Sequence, residues 1–205
     1  MRCVNCGAFS LRTICAACAA NLAECRLSMR QVEGFSVFYY YGYSEIRELI
    51  LSKHHEYGAA VLARMASLSL AKFPLHLQRE ISANPQNYEA FKTDGIFKFN
   101  AVPLDDDARS GYSHTAILAR ALKSELVEPT FHCLRAQNRV KYTGQSLEFR
   151  LKHKRNFKIL TPPKFPVILV DDIITSGLSM LQARESLIDG GFMPVCGLVL
   201  ANAKE

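Results

Sequence analysis

The stretch that decides the fold is Phe165-Pro-Val-Ile-Leu-Val-Asp-Asp-Ile-Ile-Thr-Ser-Gly-Leu-Ser179. Its first part, Val167 to Val170, is a short apolar run, which is typical of a strand buried on both faces of a parallel sheet. Asp171 and Asp172 follow at the predicted carboxyl end of that strand, where open α/β sheets bind their ligands. The pattern therefore predicts an α/β protein with a ligand site at this point.

A turn rich in hydroxyl groups follows the acid pair and leads into a helix that ends at Gly190-Gly191. The N-terminus of a helix offers unpaired N–H groups and a partial positive charge, which suit a phosphate. Gly177 lets a ligand approach the backbone closely. Three hydroxyl donors flank it, on Thr175, Ser176 and Ser179. The turn is thus predicted to bind phosphate, and a strand-to-helix turn with an Asp cap and no ligand is the alternative.

The two carboxylates, Asp171 and Asp172, repel a phosphate and need another role. They can accept hydrogen bonds from the vicinal hydroxyls of a sugar, or help to hold Mg²⁺. A ribose 5-phosphate laid over the turn would satisfy the polar groups of both the turn and the acid pair.

Length and composition indicate one main domain with a small appendage. The 205 residues are 49% hydrophobic. No apolar run approaches the roughly 20 residues needed to cross a bilayer. The N-terminus carries cysteines and not the apolar core of a signal peptide, so we expect a cytoplasmic location. The net charge of +6 suits anionic partners such as polyphosphates or nucleic acid.

Four of the seven cysteines form two Cys-x2-Cys pairs, at Cys3, Cys6, Cys15 and Cys18. Two such pairs can complete a tetrahedral metal site. A segment too short for a core of its own would gain much of its folding free energy from the metal, on the order of 10 kcal/mol. We therefore predict a structural zinc site in a small domain of residues 1–30, followed by the main domain, 31–205. A rubredoxin-type iron site and unliganded thiols are the alternatives.

The middle of the chain carries weaker signals. The aromatic run Gly34–Tyr43 favours a packed strand or strand pair over a base-stacking platform. Strands are predicted at Gly95–Leu104, Pro129–Leu134 and Val195–Leu200, and the alternation of strands with helices indicates a largely parallel sheet. The three acids at Asp105–Asp107 favour a solvated loop over a cation site.

The span from Arg135 to Asn156 is strongly basic and contains aromatic residues. Such a composition can bind phosphates and stack the bases of single-stranded DNA. It can equally form a lid that neutralises a highly charged ligand, or a solvated basic face. The candidate DNA-binding residues are Arg135, Arg139, Lys141, Arg150, Lys152, Lys154 and Arg155.

The segment Val-Asp-Asp-Ile-Ile-Thr-Ser-Gly, residues 170–177, resembles the phosphoribosyl-pyrophosphate (PRPP) signature of type I phosphoribosyltransferases. The resemblance implies their fold, a mostly parallel sheet flanked by helices, with PRPP and Mg²⁺ bound at this turn. It also implies that Asp171 and Asp172 take the ribose hydroxyls. The residues implied to take the 5-phosphate are Ile173, Ile174, Thr175, Ser176, Gly177, Leu178 and Ser179.

The order of motifs resembles one family more closely. Several motifs follow one another over nearly the whole chain. In order, they are a four-cysteine finger, Tyr-Tyr-Gly-Tyr, Ile-Arg-Glu-Leu-Ile, Val-Pro-Leu, Arg-Ser-Gly-Tyr, a basic span and the PRPP signature. This order is similar to that of the ComF/GntX family, phosphoribosyltransferase-like proteins tied to bacterial natural transformation. The resemblance implies PRPP, single-stranded DNA and components of the DNA-uptake machinery as partners.

Single positions can be compared with the same family. Lys53 matches the family's lysine after the first helix. Ala101-Val-Pro103 matches its Pro-Val-Pro loop, which implies that Val102, Pro103 and Leu104 face pyrophosphate. Gly111-Tyr112 matches the centre of its Arg-Gly-Phe-Asn-Gln motif, but Ser110, Ser113 and His114 replace the Arg, Asn and Gln. Arg109, one position earlier, would supply the missing charge. The implied catalytic residues are Asp171, Asp172, Lys53 and Arg109.

Two functional hypotheses follow from this resemblance. In the first, the chain is a PRPP-binding, phosphoribosyltransferase-like protein that acts in natural transformation and binds single-stranded DNA. In the second, it is an active phosphoribosyltransferase of nucleotide salvage with no direct role in DNA binding. Transfer would proceed by attack of a nitrogen nucleophile on C1 of PRPP, with pyrophosphate leaving through an oxocarbenium-like transition state.

Overall fold

The computed structural model describes residues 1–104, 111–138 and 155–204. The strands are β1 (Ser28–Val32), β2 (Phe35–Gly42), β3 (Lys92–Thr93), β4 (Ile96–Phe97), β5 (Phe99–Pro103), β6 (Val127–Pro129), β7 (Leu134–Ala136), β8 (Phe157–Ile159), β9 (Val167–Ile174) and β10 (Pro194–Asn202). The helices are α1 (Ala16–Ala23), α2 (Tyr43–Leu51), α3 (Gly58–Leu68), α4 (Phe73–Ala83), α5 (His114–Arg120) and α6 (Leu178–Asp189). Short 3₁₀ turns cover Ser52–His54, Leu70–Lys72 and Pro85–Phe91.

At the centre of the molecule, residues 1–104, 111–138 and 155–204 contribute a six-stranded sheet in the order β1-β2-β10-β9-β5-β6. Strands β2, β10, β9, β5 and β6 run parallel to their neighbours, and β1 pairs antiparallel with β2. The predicted α/β class with a largely parallel sheet is therefore confirmed. Two small antiparallel pairs, β3 with β4 and β7 with β8, lie outside this sheet.

Apolar side chains cover both faces of the sheet. On β9, Ile168 and Val170 pack in a cluster with helices α2 to α5, while Val167 and Leu169 pack in a second cluster with α6. All four side chains are fully buried. The continuous apolar run thus occurs because the strand has no solvent-facing side, as its sequence predicted.

The tyrosine run lies in β2, and Tyr39, Tyr40 and Tyr41 are all buried. A base-stacking platform needs exposed rings, so the structure supports the packed strand and not the platform. The hydroxyl of Tyr41 donates to the carbonyl of Leu22 in α1 at 2.8 Å, and the Lys72 ammonium donates to the carbonyl of Ala23 at 2.6 Å. These bonds fasten the cysteine-bearing segment to the main sheet and its helices.

Two strand predictions differ from the structure. The predicted strand Gly95–Leu104 is interrupted, because Asp94 and Gly95 both have positive φ and form the two-residue turn of the β3–β4 hairpin. The predicted strand Pro129–Leu134 is wrong. Its residues 130–133 form the connection between β6 and β7, in which His132 has φ +54°.

Within the described part of the chain, the helices are all too short or too polar to cross a membrane. The longest of them, α6, has 12 residues.

Candidate functional site

The strand that carries the acid pair is longer than its sequence predicted. It was expected to end at Val170, but β9 continues to Ile174 because β10 pairs with it along its whole length, up to the partners Asn202 and Ile174. On the other side, β5 pairs with β9 only as far as Val170. Asp171 and Asp172 therefore lie on an ordered strand that β10 pairs with, beyond the point where the described part of β5 ends, and successive side chains of a strand point to opposite faces.

Asp172 forms an ion pair with Lys53, which lies in the Ser52–His54 turn between α2 and α3. The distance from Lys53 Nζ to Asp172 Oδ2 is 2.5 Å, and the two side chains are 21% and 13% exposed. Burial disfavours the charge on Lys53, but the carboxylates of Asp172 and Asp171 outweigh this effect and raise the pKa of the ammonium. The structure thus brings together two of the residues that the sequence predicted to be catalytic.

Asp171 titrates differently from an ordinary carboxyl group. Burial and the adjacent charge of Asp172 raise its pKa to about 7, although the Asp172 N–H and the charges of Arg155 and Lys53 act in the opposite direction. The Asp172 N–H donates to Asp171 Oδ1 at 2.9 Å. A carboxyl group with such a pKa can gain or lose a proton near neutral pH when a charged ligand arrives.

The turn after the acid pair is held by β1. Gly177 has φ +86°, and a Cβ atom there would lie 2.5 Å from Cγ1 of Val32. Only glycine therefore fits between the turn and β1. The N–H of Leu181 donates to the carbonyl of Gly177 at 2.9 Å, which begins the hydrogen bonds of α6. The sequence assigned Gly177 to a close approach by ligand, and the structure shows that it also allows a close approach by Val32.

Arg30, on β1, was not predicted from the sequence. Its guanidinium donates to the Thr175 carbonyl at 2.8 Å and to Asn202 Oδ1 at 3.2 Å. It therefore fixes the backbone of the turn and places a positive charge beside it. A lone arginine on an edge strand gives no sequence signal for this contact, because its partners lie 145 and 172 residues away.

The acid pair, Lys53 and the turn line one cavity of about 350 Å³. This volume lies in the range of small-molecule sites. The described residues in its wall are Tyr43, Lys53, Arg155, Asp171, Asp172, Ile173, Ile174, Thr175, Ser176, Gly177, Leu178, Ser179, Met180 and Ala203. All nine residues of this stretch that the resemblance assigned to PRPP binding, 171–179, are among them. Carboxylates, cations, hydroxyls and a helix N-terminus thus converge on one space.

Other predicted site residues lie elsewhere. Val102, Pro103 and Leu104 are buried at the end of β5 and do not line this cavity. Arg135 is exposed on β7, whereas Arg155 lies in the cavity wall. The remaining predicted residues are outside the described part of the chain: Arg109, Arg139, Lys141, Arg150, Lys152 and Lys154, together with the acids 105–107.

A larger crevice, of about 530 Å³, lies between the cysteine-bearing segment and β2. Its walls include Asn21, Arg26, Tyr40 and Glu45. The side chains of Lys53 and the acid pair are not among them. The smaller cavity is therefore the stronger candidate, because it holds the chemically convergent groups.

The two cysteine pairs come together as the sequence predicted. The sulfur atoms of Cys3, Cys6, Cys15 and Cys18 all lie within 4.8 Å of one another, and Cys6 and Cys15 are 3.7 Å apart. Tetrahedral zinc with Zn–S bonds of about 2.3 Å needs sulfur–sulfur distances of about 3.8 Å. Four thiolates at this spacing could hold a metal such as zinc after a shift of about 1 Å or less at the longest edge.

Hydrogen bonds around the cysteines suit thiolates. The N–H of Cys15 donates to Cys3 Sγ at 3.2 Å, and the amide of Asn5 donates to Cys18 Sγ at 3.3 Å. Burial opposes ionisation of Cys3, but the backbone N–H groups of Cys15, Cys6 and Asn5 together lower its pKa to about 6. Asn5 favours the Cys18 thiolate, yet burial and the three neighbouring sulfurs raise its pKa to about 12. A bound cation would relieve this mutual repulsion.

Neither a protein-family model nor a curated protein sequence matches this chain. Its function must therefore be inferred from the geometry and chemistry of its own residues.

Replacing Cys15 by Ser should abolish stoichiometric metal binding, because a neutral hydroxyl is a poor substitute for a thiolate ligand. It should also reduce the hydrogen-exchange protection of residues 1–23. Elemental analysis of purified protein gives the metal content, with Cys25→Ser as the matched control because Cys25 lies outside the four-cysteine cluster. A Cys15→Ser protein that keeps its full metal content would refute the four-cysteine site.

The raised pKa of Asp171 predicts that this residue makes the fold less stable as pH rises. Between its ordinary value of 3.8 and about 7, the folded state keeps a proton that the unfolded state has released. The free energy of unfolding should therefore fall across this range, by at most about 1.4 kcal/mol per pH unit for one proton. Asp171→Asn should remove this pH-dependent fall in the free energy of unfolding, and the variant should be more stable than wild type above pH 7. Denaturant unfolding at several pH values tests this, and an unchanged pH slope would contradict it.

Proposed function

We propose that the protein binds PRPP in the cavity formed by the acid pair, Lys53 and the turn 175–179. The observation that carries the proposal is the convergence of these three elements on one space of about 350 Å³. The same grouping supports the fold of a type I phosphoribosyltransferase and membership of the ComF/GntX family, to which the motif order of the chain points.

Each part of PRPP has a suitable counterpart in the cavity wall. The 5-phosphate would lie on the turn at the N-terminus of α6, where the N-cap residue Gly177 has no side chain and the hydroxyls of Ser176 and Ser179 are near. The Leu178 N–H already donates to the Ser176 hydroxyl oxygen at 3.5 Å. The ribose hydroxyls would donate to Asp171 and Asp172. Lys53 and Arg155 would offset the negative charge of the ligand, since both lie in the wall.

Pyrophosphate would be the leaving group of a transfer reaction. A nitrogen nucleophile would attack C1, the bond from C1 to the pyrophosphate oxygen would break, and its electron pair would leave with pyrophosphate. Lys53 would stabilise the negative charge that develops there, and the carboxylates would favour the positive charge on the ribose. Mg²⁺, bound together with PRPP, would neutralise further phosphate charge. An active enzyme of nucleotide salvage is the alternative to a binding protein of DNA uptake, and release of pyrophosphate with a panel of bases would distinguish them.

We further propose that the metal of the four-cysteine cluster is Zn²⁺ with a structural role. All four ligand positions come from cysteine, so no coordination site is left for a substrate, which is the arrangement of structural zinc. The bonds from Tyr41 and Lys72 to the end of α1 would then join a metal-stabilised segment to the main sheet.

Asp171→Asn combined with Asp172→Asn should weaken PRPP binding by roughly 100-fold or more, since at least two charge-assisted hydrogen bonds to the sugar are lost. Titration calorimetry with PRPP and Mg²⁺ measures the affinity, and a thermal melt checks folding. Asp189→Asn is the matched control, because Asp189 is exposed at the far end of α6. Unchanged affinity in a folded double variant, or no binding by the wild type, would sink the proposal.

Single-stranded DNA is a second candidate ligand, favoured by the net charge of +6 and by the exposed Arg135 on β7. Affinity should fall with salt, with a slope of log K against log[salt] of roughly −0.7 per neutralised phosphate. Arg135→Glu should reduce that slope, whereas Arg79→Glu on α4, which changes the net charge equally, should not. Fluorescence anisotropy with a labelled oligonucleotide measures both, and a slope near zero for the wild type would exclude phosphate contacts.

A further inference from the structure

Lys53 lies in a turn of three residues whose backbone is also contacted by other parts of the chain. The 3₁₀ turn Ser52–His54 joins α2 to the loop before α3 and has a single helical turn of backbone. Such turns have poorer hydrogen-bond geometry than an α-helix. Contacts from other parts of the chain therefore help to fix the backbone from which the Lys53 ammonium reaches Asp172.

Two side chains at the start of α5 bind the same backbone atom of that turn. The Tyr112 hydroxyl donates to the Lys53 carbonyl at 2.8 Å, and His114 Nε2 lies 3.1 Å from the same oxygen. Because a carbonyl oxygen can only accept, Nε2 must carry the proton. Burial and the charge of Lys53 lower the pKa of His114, which favours its neutral form. The two rings also meet edge to face, with centroids 5.0 Å apart.

Gly58 makes room for this arrangement. A Cβ atom at position 58 would lie 2.4 Å from the Tyr112 hydroxyl oxygen and 2.3 Å from the Ser52 carbonyl oxygen. Any side chain there would collide with Tyr112 and also with the backbone of the turn, since the Lys53 Cα atom would lie 2.8 Å away. Gly58 begins α3 directly after the loop that follows Lys53. Because it has no side chain, the start of α3 can lie close to Tyr112, just before α5.

We propose that Tyr112 and His114 are positioning residues that hold Lys53 against Asp172 by jointly donating to the Lys53 carbonyl. We call this arrangement, with Gly58 beneath it, the Lys53 clamp. The inference deepens the proposed function, because Lys53 and Asp172 belong to the proposed PRPP site. The clamp itself requires only the contacts among Tyr112, His114, Gly58 and Lys53.

The clamp gives a role to one position, His114, that the sequence marked as a departure from the ComF/GntX motif. His114 stands where that motif has Gln. A Gln side chain also carries an N–H donor of similar reach, so His and Gln can serve the same carbonyl. The cation is thus held in place before a ligand arrives, and pre-organised groups lose less free energy when binding occurs.

Reactivity of Lys53 tests the clamp without any ligand. An amine-acylating reagent is applied at one mildly alkaline pH, and peptide mass mapping gives the rate at each lysine, with Lys92 as an internal reference. Tyr112→Phe combined with His114→Ala should raise the Lys53 rate by roughly tenfold, because two hydrogen bonds are lost. Tyr112→Phe with His114→Gln should restore part of the protection, which a merely structural role of the histidine ring would not do.

The single variant Tyr112→Phe, which removes one oxygen atom, keeps the test valid if the double variant does not fold. Gly58→Ala, whose added Cβ would meet both Tyr112 and the backbone of the turn, should also expose Lys53. Unchanged Lys53 labelling in folded Tyr112→Phe and Gly58→Ala proteins would overturn the clamp. Failure of wild-type protein to bind PRPP would refute the proposed function and leave this labelling result unaffected, so the two failures are distinguishable.

Discussion

The pairing of β10 with β9 along their full length is the constraint on which the site depends. Without the partners that reach from Pro194–Val167 to Asn202–Ile174, β9 would end where β5 stops pairing, at Val170. The acid pair would then lie in a loop. Because the hydrogen bonds to β10 continue past Val170, the carboxylates come from a rigid backbone, and both line the cavity of about 350 Å³.

Local patterns were sufficient to predict some parts of the molecule. The apolar run of β9, the turn before α6 and the two cysteine pairs are each encoded in a few consecutive residues, and the structure has all three. The turn of the β3–β4 hairpin was encoded as well, in Asp94-Gly95, a strong signal for a two-residue hairpin, but the predicted strand Gly95–Leu104 did not use it. Residues 130–133 gave the wrong strand because propensity alone does not place the ends of strands.

The rest of the site could not be predicted from local patterns, because its contacts join distant parts of the chain. Lys53 and Asp172 are 119 residues apart, and Tyr112 reaches the Lys53 carbonyl across 59 residues. Arg30 and Val32 belong to an edge strand whose sequence has no feature of a ligand site, yet both touch the turn after β9. The family resemblance implied that Lys53 is a site residue. Its ion pair with Asp172 and the hydrogen bonds to its carbonyl oxygen arise only from tertiary packing.

The outer edge of the sheet beyond β5 has a consequence for how this protein meets other chains. Strand β6 has three residues and ends at Pro129, which has no N–H to donate. Among the residues that the structure describes, that edge would offer a foreign strand about 10 Å of backbone on which to form hydrogen bonds. Short edges ending in proline resist edge-to-edge aggregation. Pro129, which ends β6, therefore also makes it harder for a strand of a neighbouring molecule to extend the sheet at this edge.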